Sequence, residues 1–178
     1  RYAAADPDAP VVVAGSHMDT VADAGRYDGV FGILSPIACV ADLHARGKRL
    51  RCTLEVVAFG DEEGVRFGVS MLGSRALAGR FDMAALERRD ANGVSMREAL
   101  VAFGGDPAAI PALTRRGVVA YVETHIEQGP VLLDADLPVG VVTSIAGGTR
   151  LAVRVDGLAG HAGTVPMQQR RDALCAAA

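Results

Sequence analysis

Histidines and carboxylates stand close together at several points of this 178-residue sequence, in arrangements that could bind a metal ion. The first arrangement is Gly15-Ser-His17-Met-Asp19, with Asp28 shortly after it. Imidazole nitrogens and carboxylate oxygens are the usual ligands of zinc and related divalent metals, so His17 and Asp28 are candidate ligands. Asp19 would point the same way as His17 on an extended segment and could accept its second ring N–H. On its own, this short pattern is more typical of a structural histidine in a turn.

A second arrangement, Asp61-Glu62-Glu63, follows a predicted strand. Two adjacent carboxylates at a strand end are costly unless a cation neutralises them. One of the pair Glu62 and Glu63 could bind a metal, while the other removes a proton from a metal-bound water molecule. A solvated acidic turn is the simpler alternative, but His17 and Asp28 at the neighbouring strand end favour the metal site.

A third arrangement, Glu123-Thr-His125-Ile-Glu127-Gln128-Gly129, also follows a predicted strand. His125 is a further candidate ligand, and Gln128 could hydrogen-bond a polar substrate. The alternative is a turn that caps a short helix beginning at Pro130.

The two remaining histidines differ in their surroundings. His161 lies in Gly160-His161-Ala-Gly163, where glycine allows the backbone to approach either a ligand or another strand closely. His44 lies near the end of a predicted helix, where a histidine interacts favourably with the helix dipole, and we therefore assign it a structural role.

The elements that must position these residues have the pattern of a parallel α/β sheet. Short apolar runs at 10–15 and 52–59 predict buried strands, and the spacing of apolar residues predicts a helix from Val30 to Leu43 that ends near Gly47. A strand, a helix and a strand in succession indicate a βαβ unit and a sheet covered by helices. Functional groups collect at the carboxyl ends of strands in such sheets, and the polar clusters lie there.

The rest of the chain is predicted to be a helical cover followed by three more strands. Helical patterns occupy four segments, 71–78, 83–89, 95–103 and 107–113. Ser95 with Glu98 fits a capping box at the start of the third. Strands are predicted over 118–125, 139–146 and 151–156. Because the strand pattern changes from wholly apolar to alternating across Gly147-Gly148, we expect a domain boundary there, with one domain over 1–147 and the start of a second over 148–178.

Composition narrows the possible function classes. The 18 Lys and Arg residues against 21 Asp and Glu give a formal charge of −3 without a basic run, which argues against a nucleic-acid partner. The longest uncharged apolar stretch, 29–41, is too short for a membrane span of about 20 residues. Three scattered cysteines argue against a disulfide framework, and with no signal peptide visible we expect a cytoplasmic protein. The sequence starts at Arg1 and stops within a helical pattern, so we expect a fragment.

The motifs together resemble the amidase branch of the M20 dinuclear metallohydrolases, in family order and over essentially the whole chain. This branch contains allantoate amidohydrolases, N-carbamoyl-L-amino acid hydrolases and β-ureidopropionases. The motifs that carry the resemblance are Gly15-Ser-His17-Met-Asp19-Thr20, Tyr27-Asp28-Gly29, Asp61-Glu62-Glu63-Gly64, Glu123-Thr-His125-Ile-Glu127-Gln128-Gly129-Pro130 and Gly160-His161-Ala-Gly163-Thr164-Val-Pro166-Met167. The segments most similar to allantoate amidohydrolases are Gly25-Arg-Tyr-Asp-Gly29, Gly60-Asp-Glu-Glu-Gly-Val-Arg-Phe67 and Gly73-Ser-Arg-Ala-Leu77.

The resemblance implies a mixed, largely parallel α/β sheet sandwiched by helices, with the start of a smaller α+β lid and dimerisation domain. It also implies two divalent metal ions, zinc or manganese, with cobalt or nickel as alternatives because histidine and carboxylate ligands suit all four. Asp28 would bridge the metals, with His17 as a terminal ligand, Glu63 on the second metal and His125 completing the first. The family's remaining metal-binding His, and its substrate-binding Asn and Arg, would lie C-terminal to these residues.

The resemblance implies roles for the other polar residues. Glu62 would be the general base, Asp19 would support His17, and Gln128 would contact the substrate. His161, on the lid domain, would reach the active site of the partner subunit in a homodimer and polarise the scissile carbonyl. The implied reaction is metal-dependent hydrolysis of a ureido or carbamoyl C–N bond, most similar to the conversion of allantoate to ureidoglycine, ammonia and carbon dioxide.

N-carbamoyl-L-amino acid hydrolase or β-ureidopropionase activity would use the same residues, because those substrates also carry a carboxylate and a ureido group. A non-catalytic metal-binding or amide-binding homologue would be favoured if an uncharged residue replaced the base, but Glu62 is present. Nucleotide binding is discarded, because the turn after the first strand lacks Gly-x-Gly-x-x-Gly.

Overall fold

The computed structural model describes residues 1–149 and 151–178. They form two compact units, Arg1–Ala135 and Asp136–Ala178. The first unit contains a sheet of three parallel strands in the order β2-β1-β3. The strands are β1 (Val11–His17), β2 (Thr53–Phe59) and β3 (Val118–Val122). The predicted α/β class with a parallel sheet is confirmed, and the central strand β1 ends on His17.

Strand β1 is joined to β2 by helix α1 (Val30–Ala45), as the apolar spacing predicts. The two strands pair in register from Val11 opposite Thr53 to His17 opposite Phe59. Helix α1 ends where Gly47 adopts a φ of +60°. The Gly47 N–H donates to the His44 carbonyl at 3.0 Å, and the Lys48 N–H donates to the Leu43 carbonyl at 2.9 Å. These two hydrogen bonds are the Schellman pattern of a helix end.

The helical cover between β2 and β3 contains two α-helices, α2 (Leu72–Leu77) and α3 (Met96–Ala102), and two 3₁₀ segments, Met83–Glu87 and Pro107–Leu113. The predicted capping box is confirmed, because the Ser95 N–H donates to the Glu98 carboxylate at 2.7 Å and the Glu98 N–H donates to the Ser95 hydroxyl at 3.2 Å. This region forms an apolar core of its own, made of Phe67, Leu72, Ala76, Ala85, Leu86, Met96 and Ile110. A short helix, α4 (Val131–Asp134), follows β3.

In the second unit the described residues form the 3₁₀ turn Met167–Gln169 and the short helix α5 (Ala173–Ala177). The strands predicted over 139–146 and 151–156 are wrong for this structure, since neither segment pairs with another within 1–149 and 151–178. A strand needs a neighbour to satisfy its backbone N–H and C=O groups, and an apolar pattern does not supply one. The domain boundary expected at Gly147-Gly148 stays a prediction.

No helix in the described part of the chain is both long enough and apolar enough to cross a membrane.

Candidate metal centre

The carboxyl edge of the sheet brings the first three polar clusters together. His17 is the last residue of β1, the Glu62 and Glu63 turn follows β2, and His125 follows β3. Asp28 stands just before α1, the helix that returns the chain from β1 to β2. Parallel strands end at the same edge of a sheet, so three sequence-distant segments converge on one place.

The centre of the cluster is the carboxylate of Asp28, which is only 4% exposed. Its Oδ1 lies 3.7 Å from Nε2 of His17 and 3.5 Å from Nε2 of His125. The two imidazole rings stack with their centroids 5.7 Å apart and their planes inclined by 30°. Among the described residues this Oδ1 is buried without any hydrogen-bond partner.

This donor set fits a divalent cation. One ligand atom from each of His17, Asp28 and His125 lies within 4.8 Å of the other two. A buried carboxylate oxygen without a partner costs stability in the metal-free protein, and coordination would satisfy it. Two imidazoles and a carboxylate are also the donors that zinc, manganese, cobalt and nickel accept in proteins.

Glycine at position 29 lets the Asp28 segment approach the His17 ring. Gly29 has a φ of +75°, and a Cβ built on it would lie 2.4 Å from the His17 carbonyl oxygen and 2.5 Å from its Nδ1. Any L side chain would therefore meet both an unfavourable backbone conformation and the ligand ring. The motif Tyr27-Asp28-Gly29 thus needs its glycine for the geometry of the site.

A second possible metal-binding group consists of His17, Glu62 and Glu63, whose ligand atoms again lie within 4.8 Å of one another. Asp19 holds the two glutamates in place. Its two carboxylate oxygens accept the backbone N–H groups of Glu62 and Glu63, each at 3.0 Å. We expected the Asp19 carboxylate to accept the ring N–H of His17, but His17 Nδ1 lies 2.6 Å from the backbone carbonyl of Asp19 instead.

The charges of the cluster shift the pKa values of two of its members. Burial raises the pKa of Glu62, and the neighbouring Glu63 and Asp19 carboxylates raise it further, against the opposing effect of His17. Burial alone would lower the pKa of His17. However, its hydrogen bond to the Asp19 carbonyl and the nearby Glu62 and Asp28 carboxylates raise the pKa above its usual value. The cluster therefore attracts positive charge, either protons or a cation.

Gln128 and Glu127 have defined contacts in this structure. The Gln128 Nε2 donates to Oδ2 of Asp28 at 3.1 Å, so this side chain orients the candidate ligand. Its expected contact with substrate stays a prediction. Both Glu127 carboxylate oxygens lie 3.0 Å from the Leu132 N–H, at the start of α4. The segment after β3 thus supplies a candidate metal ligand and also caps a short helix, the two interpretations that the sequence left open.

Sequence reasoning missed a hydrogen-bonded group beside the histidines. The hydroxyl of Ser16, a fully buried residue, donates to Oε1 of Glu123. The Tyr121 hydroxyl lies 2.8 Å from Oε2 of the same carboxylate and 2.9 Å from the Gly15 carbonyl oxygen. The local sequence around Ser16 contains no signal for this contact, because its partner is 107 residues away.

His161 belongs to the second unit, where its side chain is exposed. Its Nδ1 accepts the backbone N–H of Gly163 at 3.0 Å. In the neutral ring the proton is then on Nε2, which makes Nε2 a hydrogen-bond donor.

Histidine and carboxylate side chains clustered at the carboxyl edge of a parallel α/β sheet thus form a candidate divalent-metal site. The chain belongs to the peptidase family M20/M25/M40, whose family model matches residues 13–178. The expected family is thereby confirmed, and with it the α/β fold class.

Individual relatives agree with this assignment. The chain is 48% identical over 180 residues to an N-carbamoyl-L-amino acid amidohydrolase of Geobacillus stearothermophilus, covering 100% of this chain and 44% of that protein. It is 47% identical over 184 residues to allantoate deiminase 1 of Glycine max, covering 100% of this chain and 38% of that protein. The crystal structure of a hydantoinase/carbamoylase family amidase from Burkholderia ambifaria matches with a TM-score of 0.72 and 38% identity, covering 98% of this chain and 42% of that one. The chain thus spans less than half the length of these relatives.

Proposed function

We propose that this protein is a metal-dependent hydrolase of ureido or carbamoyl C–N bonds, with allantoate as its substrate. The observation that carries the proposal is the unpartnered, buried Oδ1 of Asp28, which faces Nε2 of both His17 and His125. The family assignment and the names of the relatives support the same reaction class.

The proposed centre holds two divalent metal ions, with zinc or manganese as the first choices. His17, Asp28 and His125 would hold one ion, and Glu63 would hold the second, with Asp28 between them. When bound, such ions lower the pKa of water and polarise a carbonyl group. Gln128 would keep the Asp28 carboxylate oriented through the hydrogen bond to its Oδ2.

Glu62 is the proposed general base. A ureido group is a poor electrophile, so the attacking water must lose a proton as it adds to the carbonyl carbon. The pKa of Glu62 is raised by burial and by neighbouring carboxylates, which strengthens it as a proton acceptor. The protonated Glu62 then returns the proton to the leaving nitrogen. Ammonia departs and the remaining carbamate releases carbon dioxide, which leaves ureidoglycine when the substrate is allantoate.

His161 is the proposed donor to the oxygen of the scissile carbonyl. The Gly163 N–H occupies Nδ1 and places the proton on Nε2, so the ring can donate a hydrogen bond to a developing oxyanion while neutral. In the proposal this donor acts in the partner subunit of a homodimer.

The proposed location is the cytoplasm. The three free cysteines, Cys39, Cys52 and Cys175, support a reducing compartment and hence the cytoplasm.

The substrate is tested with the full-length, metal-loaded protein. We expect chelator-sensitive ammonia release from allantoate that exceeds release from N-carbamoyl-L-amino acids. The assay includes both substrates, because the chain is 48% identical to a relative named for N-carbamoyl-L-amino acids and 47% identical to one named for allantoate. Turnover of the carbamoyl-amino acid alone would keep the reaction class and replace allantoate. Metal binding without turnover of either would favour a non-catalytic metal-binding protein.

A further inference from the structure

The backbone pairing between β1 and β3 ends before the two histidines. The strands pair from Val11 opposite Val118 to Ala14 opposite Val122. His17 and His125 each lie three positions beyond the last of these pairs. On its other side, β1 remains paired with β2 as far as His17 opposite Phe59. The described β1–β3 pairing therefore leaves the segment that carries His125 to be positioned by other contacts.

Side chains join the two segments beyond the end of the backbone pairing. Ser16 precedes His17, and its hydroxyl donates to Oε1 of Glu123, two residues before His125. The other carboxylate oxygen of Glu123 lies 2.8 Å from the Tyr121 hydroxyl. That hydroxyl also lies 2.9 Å from the Gly15 carbonyl oxygen of β1, so its single proton is shared between this carbonyl and the Glu123 carboxylate.

Close packing above this group leaves little room for adjustment. A Cβ built on Gly32, in the first turn of α1, would lie 2.5 Å from Cβ of Ser16 and 2.4 Å from the Thr124 carbonyl oxygen. Ser16 is 0% exposed, so water does not compete for its hydroxyl. A buried hydrogen bond of this kind fixes the position of both partners.

We propose that Glu123 is a positioning residue that sets the spacing of His17 and His125 by binding the Ser16 and Tyr121 hydroxyls. The inference rests on the proposed function, since it assigns Glu123 to the support of that same metal site. Glu123 acts through the two histidines and touches neither substrate nor metal.

The experiment compares Glu123→Ala with Glu123→Gln in the full-length protein. Glutamine can accept from Ser16 through its oxygen and donate from its amide nitrogen to the Tyr121 oxygen, while Tyr121 donates to Gly15. Glutamine thus keeps the contacts and removes only the charge. Zinc and manganese affinities are measured by chelator competition, with kcat and KM at saturating metal.

We expect Glu123→Ala to weaken metal affinity about 10- to 100-fold, the usual effect of removing a group that orients a ligand. Glu123→Gln should retain most of that affinity. Ser16→Ala should lose part of the metal affinity. The double variant Ser16→Ala/Glu123→Ala should bind metal about as weakly as Glu123→Ala alone, because both changes break the same contact. At saturating metal the loss should appear in kcat more than in KM.

Ser95→Ala is the matched control for general destabilisation. It removes a buried serine hydroxyl that caps α3, a helix of the cover region, and should lower thermal stability without changing metal affinity. Unchanged affinity in Glu123→Ala would overturn the inference, as would equal losses in the Ala and Gln variants, which would indicate a role for the charge instead. Failure of the wild-type protein to hydrolyse ureido substrates would overturn the proposed function alone, because the metal affinities still decide the role of Glu123.

Discussion

Oδ1 of Asp28 faces Nε2 of His125 at 3.5 Å without accepting a hydrogen bond from any described residue. The carboxylate is buried, and burial of an unpaired charged oxygen opposes folding. The neighbouring Gln128 satisfies only Oδ2. An unpartnered buried carboxylate oxygen is expected where metal binding has been favoured over the stability of the metal-free protein.

Asp28→Asn should separate metal binding from stability. The amide oxygen can still accept from Gln128, while the buried charge is removed. We expect metal affinity to fall at least about 100-fold, and the metal-free variant to be as stable as the wild type or more stable by about 1 kcal/mol. Urea unfolding of the metal-free proteins and chelator competition measure the two effects. A metal-free variant clearly less stable than the wild type would show that Oδ1 has a stabilising contact in the folded protein.

Asp19→Asn tests the clamp on the glutamate turn. The carboxylate of Asp19 accepts the N–H groups of Glu62 and Glu63, and asparagine would turn one acceptor into a donor facing an N–H group. We expect kcat to fall about 10- to 100-fold while metal binding at the site proposed for His17, Asp28 and His125 is retained. The same change at Asp82, whose side chain accepts the Ala84 N–H in the helical cover, is the matched control and should leave kcat unaltered. Equal kcat in Asp19→Asn and the wild type would contradict the clamp.

The sequence predicts which strands and helices bring the site residues together better than it predicts the hydrogen bonds within the site. Strand β1 and helix α1 have strong local signals, an apolar β-branched run and a helical period ended by Gly47, so their order placed His17 and the acidic turn at one sheet edge. The partner of Asp19 could not be predicted in the same way. Its carboxylate bonds residues 43 and 44 positions away rather than the nearby His17 ring, and only the folded backbone decides between them.

The predicted strands of the second unit failed for a related physical reason. The residues between 139 and 146 have the apolar, β-branched character of a buried strand, yet Val141 is 91% exposed and Ile145 is 90% exposed. Strand preference is local, but strand formation requires a hydrogen-bonding neighbour that local sequence does not specify. The same limit hid the Ser16 and Glu123 contact, which links two distant segments.

Gly29→Ala should damage the site more than an equivalent glycine substitution elsewhere. Gly29 combines a φ of +75° with a Cβ position 2.5 Å from Nδ1 of His17. Gly25 has a φ of +87° but open space around its Cβ position, so Gly25→Ala measures the backbone cost alone, about 1 kcal/mol. We expect Gly29→Ala to cost at least about 1 kcal/mol more in unfolding free energy, and to lose metal affinity while Gly25→Ala retains it. Equal effects of the two substitutions on both quantities would show that the His17 ring is not constrained by Gly29.

The ion pair between Glu55 of β2 and Arg115 predicts a stability that depends on pH. The Arg115 guanidinium donates to both Glu55 carboxylate oxygens, at 2.9 and 2.8 Å, and these hydrogen bonds hold the pKa of Glu55 below its usual value. A lowered pKa in the folded protein means that the unfolded chain binds the proton more tightly, so the pair stabilises the fold above the usual glutamate pKa of about 4.3. As the pH falls through the lower, folded-state pKa, Glu55 becomes protonated and this contribution is lost.

We therefore expect Arg115→Met to destabilise the metal-free protein near neutral pH, and its effect to shrink as the pH falls through the lowered folded-state pKa of Glu55, below which this carboxyl is neutral in both states. Unfolding free energies of the wild type and the variant, measured by urea titration at several pH values, give the difference directly and cancel the titration of other groups. Added salt should reduce the difference at neutral pH, because both side chains are partly exposed. A difference that stays constant from neutral to acidic pH would assign the effect of Arg115 to its packing or to its 3.0 Å hydrogen bond with the Arg116 carbonyl, and not to the charge of Glu55.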